Sequence, residues 1–450
     1  MYTSILDHFK VEGNRLLFDG VDLLSIVEKY GTPIFIFSES RLKENAKFIQ
    51  ESFRKEYRET YIHYALKANS ILSILKIFKD EGLKCEVSST GELYKAIKAG
   101  FNPEDIIYNS PGKRVEDLYY AVKSRINCIN VDSFYEMMLL NNIASELNLK
   151  VGISLRVVPE VMTPTLKTGI SRSKFGFEIG ELFKAYRLAL ELKNIDIKGI
   201  HAHIGSQISD LTSWENSSRT IVDIVNQLYN DLKIELDHIN LGGGIPVDYT
   251  KTLVEEDNEL PAYYKVKFDI HDIARTISTN LRRLKYDVKL YIEPGRSLVA
   301  DACILLTRIV NFKERSSGEK WLIVDAGFNI LPSARILRWY YPILNVSRID
   351  EKHDTSFRIG GPLCDAEDVY HDVEGEENGF QKLPRYRRLP RKTSPGDVLA
   401  FLHTGAYGPE VMMNFNGMLR PPYLMILRNG DVKIIRRRDE LDDLYRYEEF

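Results

Sequence analysis

Cysteine is scarce. Cys85, Cys128, Cys303 and Cys364 are the only four in 450 residues, too few for a disulfide framework, and no two have the spacing of a metal clip. Long apolar runs are missing as well: none reaches the roughly 18 residues of a membrane span. The N-terminal stretch MYTSILDHFKVEGNR lacks the apolar core of a secretory leader. Charge of one sign is not in excess either. Sixty-one Lys and Arg against 64 Asp and Glu leave a net charge of −3, which gives no electrostatic case for nucleic acid or a membrane surface. No internal repeat or low-complexity tract is present. What remains is ordinary globular usage, 44% hydrophobic and 28% charged, which excludes a mainly disordered chain. The expectation is a soluble, cytoplasmic protein with no metal, nucleic-acid or membrane partner.

Short strand-like runs alternate with longer segments of helical period. The runs fall at 61–67, 83–89, 105–110, 126–133, 151–158, 197–205, 237–244 and 289–296. Between them, stretches such as ILSILKIFKDEG and SRTIVDIVNQLYNDL repeat apolar residues at i, i+3 and i+4, as one-sided helices do. Glycines at 82 and 100 stand where C-terminal caps would stop two of them. Eight strands alternating with helices imply parallel pairing, and eight is the number that closes a (β/α)8 barrel. Beyond about 297 the texture changes to short strands joined by Gly, Asp or Asn turns, which reads as an antiparallel β-sandwich or barrel. The first 33 residues read as a hairpin that could pair with it. The expected α/β architecture is therefore a barrel over 34–297 and a β domain over 1–33 and 298–450. The segment 371–395, acidic and then basic with few aliphatics, reads as an exposed insertion.

In such a barrel the polar residues at the C-terminal strand ends converge on one pocket. Here they recur strand after strand: Lys67, Glu86 with Ser88 and Ser89, Asn109, Asp132, Arg156, His201 with His203 and Ser206, Gly242 to Gly244, Glu293 with Arg296. Lys67 either reaches solvent or, desolvated in the barrel, serves as a Schiff-base amine. Gly242, Gly243 and Gly244 offer a tight turn or bare amides around a phosphate, with Ser206 as a further donor. No Lys-Ser or Lys-Thr follows, so this is not a nucleotide P-loop. His201 and His203 are two apart, which places both on one strand face; one suits stacking on a flat cofactor, the other a core position. Glu293 could salt-bridge Arg296 or keep a pyridine nitrogen protonated, and Arg296 could hold a carboxylate bidentately. Cys364 is either a small buried apolar residue or a reactive thiol flanked by Asp365 and Asp368. A phosphate cradle, a Schiff-base lysine, a stacking ring and a nitrogen-protonating carboxylate together describe pyridoxal 5′-phosphate (PLP).

These residues also resemble a family. The motifs YALKANS (64–70), EVSSTGEL (86–93), KTGISRSKFG (167–176), HAHIGSQI (201–208), LGGGIPVDY (241–249), EPGRSLVADA (293–302), GPLCDAEDV (361–369) and TGAYG (404–408) are similar to the alanine-racemase-fold PLP decarboxylases. HAHIGSQI and EPGRSLVA are closer to the diaminopimelate than to the ornithine branch. The resemblance implies that Lys67 forms the internal aldimine, His203 stacks on the cofactor and Glu293 partners its ring nitrogen. Glu86 would help hold the cofactor. Ser206, Gly242 to Gly244, Arg296 and Tyr407 would contact the cofactor phosphate or the substrate. Cys364 would return a proton to the substrate carbon from across a head-to-tail homodimer with shared sites, beside Asp365. The implied reaction is decarboxylation of meso-diaminopimelate to L-lysine in lysine biosynthesis.

The chain departs from the family pattern at the substrate's far end. It has Cys364-Asp365-Ala366 for the usual Cys-Glu-Ser, and Ser333-Ala334-Arg335-Ile336-Leu337 for the Arg-Pro-Ala-Leu-Tyr run that holds the distal carboxylate. Arg335 or Arg338 could compensate. A related substrate (ornithine, lysine, arginine or a carboxylated polyamine precursor) stays open. A racemase and a non-catalytic PLP-binding protein fit less well, because both lack the Cys364 loop.

Overall fold

The computed structural model describes residues 5–163, 166–254, 260–371 and 383–449. They group into two compact units. The first comprises Asn45–Pro246 and Val266–Leu298; the second takes the described parts of Met1–Glu44, Val247–Lys265 and Val299–Phe450.

The first unit is a closed parallel barrel. Its strands are β1 (Thr60–Ala65), β2 (Lys84–Val87), β3 (Ile106–Asn109), β4 (Cys128–Val131), β5 (Val151–Val158), β6 (Ile195–His201), β7 (His238–Asn240) and β8 (Lys289–Ile292). Each is parallel to the next, and β8 pairs with β1. All eight lie within or overlap the runs read from the sequence. Residues alternate between the two faces of a strand. One set, including Ile129, Leu155, Ile200, Ile239 and Leu290, is buried and apolar. The other set is largely polar and carries Glu86, Asn109, Arg156, His201, Asn240 and Glu293.

Local signals place the helices between strands. The helix Thr90–Ala99 begins at Ser89, whose hydroxyl accepts from the Glu92 amide at 3.1 Å, while Glu92 accepts from the Ser88 amide at 2.6 Å. It ends at Gly100, where φ is 93°. Gly82 likewise follows the helix Leu72–Asp80 with φ 78°.

The second unit is β-rich. Its main sheet runs Arg387–Leu389, Thr355–Gly360, Lys320–Val324, Cys303–Glu314, Ile34–Ser38, Tyr423–Ile426, Val432–Arg436, with Ile343–Asn345 and Val398–Phe401 branching from Cys303–Glu314. Ile34, Ile36, Ile304, Leu306, Ala400 and Leu424 form the centre of its core. The hairpin Phe9–Phe18 packs Leu16 and Phe18 onto this core.

Three expectations are corrected here. The sheet is mixed, since Tyr423–Ile426 runs parallel to Ile34–Ser38 and Lys320–Val324 parallel to Thr355–Gly360. The division at 34–297 also shifts. Ile34–Ser38 pairs between two β-unit strands, and Tyr249 and Tyr264 pack edge-on against Trp339, which draws 247–265 into the same unit. Finally, the 371–395 stretch is not wholly an exposed insertion. Residues 372–382 lie outside the described residues, but Arg387–Leu389 joins the sheet antiparallel to Thr355–Phe357, with Arg387 and Leu389 buried.

Candidate active site

Lys67 sits in a single 3-10 turn, Leu66–Ala68, at the C-terminal end of β1. Its Nζ lies 3.4 and 3.5 Å from the two oxygens of Glu86, on β2. Glu86 is fully buried and also accepts from the Ser88 hydroxyl at 3.0 Å. Burial pushes the Glu86 carboxyl up, Lys67 pulls it back, and the negative charge of Glu293 pushes it up again.

Glu293, immediately after β8, shows the opposite balance. Burial alone would raise it, yet its carboxyl is held below the ordinary range by His201 and by Lys67. Asn240 Nδ2 donates to its Oε1 at 2.7 Å, and His201 Nε2 lies 3.3 Å from its Oε2. His201 is itself kept neutral by burial, so it serves Glu293 as an Nε2–H donor rather than as a cation. Two carboxylates beside one lysine are thus pushed apart, with Glu293 ionised and Glu86 the readier to carry a proton.

The two histidines of HAHIG do not share a strand face. β6 ends at His201, and His203 lies beyond it in the loop. His203 Nδ1 accepts from the Gly243 amide at 3.1 Å, and burial drives its pKa well below the ordinary histidine value. This also corrects the reading of bare glycine amides. The Gly242 amide donates to Asn240 Oδ1 at 2.9 Å, so two of the three point to protein acceptors. What demands glycine there is space. A Cβ on Gly243 would stand 2.1 Å from the Glu293 carbonyl oxygen. Gly242, at φ 67°, would meet the Ala202 carbonyl and the His203 ring at 2.7 Å.

Arg296 does not take up Glu293, whose acceptors serve Asn240 and His201. Its Nη2 approaches the Ser206 hydroxyl at 3.3 Å, which sets a guanidinium and a hydroxyl side by side as anion donors. Arg156 is buried on β5, bonded to Asn109 at 3.1 Å and stacked on Phe175 at 4.0 Å.

The remaining expected site residues belong to the β-rich unit. Cys364 is exposed, which excludes the buried apolar alternative. Its loop is shaped by Asp368, a buried carboxylate that accepts from the Leu363 and Phe328 amides, each at 2.8 Å; burial raises it to about 6. Arg335 is engaged by Glu367 at 2.5 Å and Asp365 at 3.5 Å and lies over the Phe328 ring. Ser333 is buried against the Tyr341 hydroxyl at 2.6 Å. Tyr407 is half-buried at φ 56°, in a loop pinned by the Thr404 and Gly405 amides to the Cys303 and Ala300 carbonyls.

Asn240 is the residue that reading strand ends alone misses. It lies inside the run DHINLGGG, and its signal is the alternation His238-Ile239-Asn240-Leu241, which puts two polar side chains on one strand face.

Among the described residues no helix is long and apolar enough to cross a membrane. A family model described as pyridoxal-dependent decarboxylase, pyridoxal binding domain, matches residues 43–300. The diaminopimelate decarboxylase of Methanocaldococcus jannaschii is 33% identical over 97% of this chain and 96% of its own length. That of Bacillus subtilis is 32% identical over 94% of this chain and 93% of its own. The crystal structure of the Methanocaldococcus jannaschii enzyme in co-complex with L-lysine superposes with a TM-score of 0.86 at 30% identity, covering 100% of this chain and 99% of that one. With a buried carboxylate pair around Lys67 in a (β/α)8 barrel, the chain belongs to the pyridoxal-dependent decarboxylases.

Proposed function

We propose that this protein is a PLP-dependent decarboxylase converting meso-diaminopimelate to L-lysine and CO2, in the biosynthesis of lysine. The observation that carries the reading is the ionised Glu293, buried with Asn240 and His201 as donors and within the field of Lys67.

The residues fit the cofactor. A carboxylate held ionised in the barrel interior suits a protonated pyridine nitrogen, and Ser206 with Arg296 suits a phosphate. Bound there, pyridoxal 5′-phosphate supplies an electron sink for the pair left on the substrate carbon when CO2 departs. Lys67 would supply the amine that holds the cofactor through its aldehyde and, beside Glu86, a group able to carry a proton. Glu293 holds a proton on the ring nitrogen. His203, kept neutral and oriented by the Gly243 amide, offers its ring face to the cofactor. Gly242 to Gly244 leave room for close backbone approach, and Tyr407 contributes a hydroxyl to the phosphate or the substrate.

Cys364 returns the proton to the α-carbon. We place it in a head-to-tail homodimer, where Cys364 and Asp365 of one protomer complete the partner's site. Asp365 receives the distal amine and Arg335 the distal carboxylate. Cytoplasmic location accords with this role.

The test is CO2 release from a panel of diaminopimelate, ornithine, lysine and arginine, run with the Lys67→Ala variant. Preferred turnover of the diacid by the parent, with loss of both turnover and the bound cofactor's visible band in the variant, is expected. Turnover of ornithine or lysine in preference to the diacid would overturn the substrate. A Lys67→Ala variant that keeps band and activity would overturn the site.

A further inference from the structure

A barrel interior is ordinarily filled by branched apolar side chains. Here a polar row crosses it. Asn130, Ser154, Gly199 and His238 are register partners on β4, β5, β6 and β7, so they share the inward face with Asn109, the partner of Asn130 on β3. Asn130 and Ser154 are 0% exposed and His238 is 1% exposed. Both amide atoms of Asn130, the Ser154 hydroxyl and His238 Nε2 have no hydrogen-bond partner among the described residues. Gly199 is what brings them together. The His238 ring crosses it so closely that Nε2 stands 2.4 Å from where a Cβ would be.

Two more buried histidines extend the set. His63, on β1, is fully buried, and its ring lies 4.4 Å from Tyr291, which also stacks on His238 at 4.2 Å. His201 follows Gly199 by two residues on the same face of β6, and its Nδ1 is buried and without a hydrogen-bond partner among the described residues. Burial holds all three rings below the ordinary histidine range, so each is neutral and carries a lone pair that needs a donor. Asparagine, serine and neutral histidine are also what internal water binds, each molecule making about three hydrogen bonds; empty interior cavities are apolar.

We propose that the barrel holds an internal hydration site, ordered water bonded to Asn130, Ser154 and His238, that also donates to His201 Nδ1 and so fixes the tautomer serving Glu293. A donor at Nδ1 leaves the His201 proton on Nε2, which is the nitrogen 3.3 Å from the Glu293 carboxylate. Asn130 and Ser154 are then positioning residues, acting on Glu293 through water and His201. The site is a property of the barrel and does not depend on which amino acid the enzyme decarboxylates.

The test is a crystal structure of the cofactor-loaded enzyme at a resolution that shows ordered solvent, joined to nitrogen-15 histidine spectra, which report tautomers directly. Expected are at least two waters (one cannot serve every acceptor), with one at His201 Nδ1, and a single Nε2–H signature for His201. A dry interior, with Asn130 and Ser154 bonded to each other, would overturn the site. Ser154→Ala and Asn130→Leu should each lose water density and move the His201 signals toward a mixed tautomer. Water lost without any change in those signals would overturn the tautomer-fixing role. If either variant fails to fold, the parent's own density and spectra still decide the matter.

Discussion

The side-chain amide of Asn240 donates to Glu293 across 2.7 Å, and its carbonyl oxygen accepts from the Gly242 amide at 2.9 Å. One side chain thus ties the carboxylate of β8 to the glycine loop that follows β7. Replacing it with Ala leaves a buried charge without its donor and a buried amide without its acceptor, a loss of about 1.5–3 kcal/mol for the charged bond alone. Asn240→Ala should therefore weaken cofactor binding and turnover together, by roughly tenfold to a hundredfold. Asn240→Asp should be worse, since it sets a second carboxylate against Glu293. Cofactor titration by absorbance and steady-state kinetics measure both.

Acid should destabilise the barrel through its histidines before it reaches the carboxylates. Burial lowers His63 and His238 from the ordinary 6.5 to about 3. Between those values the unfolded chain binds the protons that the folded barrel refuses. Their stabilising contribution is therefore complete above pH 6.5 and is lost progressively as the pH falls toward 3, at up to about 1.4 kcal/mol per unit for each ring. Glu293 adds its share only below its ordinary value of 4.5, because its folded pKa is depressed. Urea midpoints measured from pH 7.5 to 4.5 should stay level down to about pH 6.5 and then fall with increasing slope, and His63→Phe should flatten that fall.

Much of this architecture is legible in the sequence for a physical reason. Strand and helix periods are local, and a (β/α)8 barrel is built from consecutive units, so Lys67, Glu86, His201 and Glu293 could be placed at strand ends without knowing any tertiary contact. The β-rich unit is different. Ile34–Ser38 lies between Cys303–Glu314 and Tyr423–Ile426, partners some 270 and 390 positions away, and no local signal encodes such pairings. Asn240, His63 and His238 are not legible as site residues because they occupy inward positions before the C-terminal ends of the sequence runs that contain them, where apolar filling is the rule. His203 lies two residues past the end of its strand, in a loop, where the strand period of two no longer dictates its direction.

Gly243 is a position where the smallest substitution should have a large effect. Its absent Cβ would stand 2.1 Å from a backbone carbonyl, that of Glu293, and backbone cannot yield as the tip of a flexible side chain can. Gly243→Ala should displace the loop, break the amide bond to His203 and cost about 1–3 kcal/mol. Thermal unfolding would show that modest loss. Cofactor affinity should fall more steeply than stability, because the loop and His203 move together. A variant with normal affinity would mean that β8 can shift to accommodate the methyl group.

Arg335 is the test of substrate choice. Its guanidinium is occupied by Glu367 at 2.5 Å and Asp365 at 3.5 Å, beside a pocket that Arg338 and His371 also line. A distal carboxylate must therefore compete with Glu367 for Arg335. The pair is about a third to a half exposed, which limits what that competition costs to roughly 0.2–1 kcal/mol. Glu367→Gln should accordingly lower KM for meso-diaminopimelate by at most about fivefold, with kcat unchanged and no gain for ornithine or lysine. Arg335→Leu should raise KM for the diacid alone. If KM for the diacid moves in neither variant, its distal carboxylate is bound elsewhere, and the buried Ser333–Tyr341 hydroxyl pair is the next place to probe.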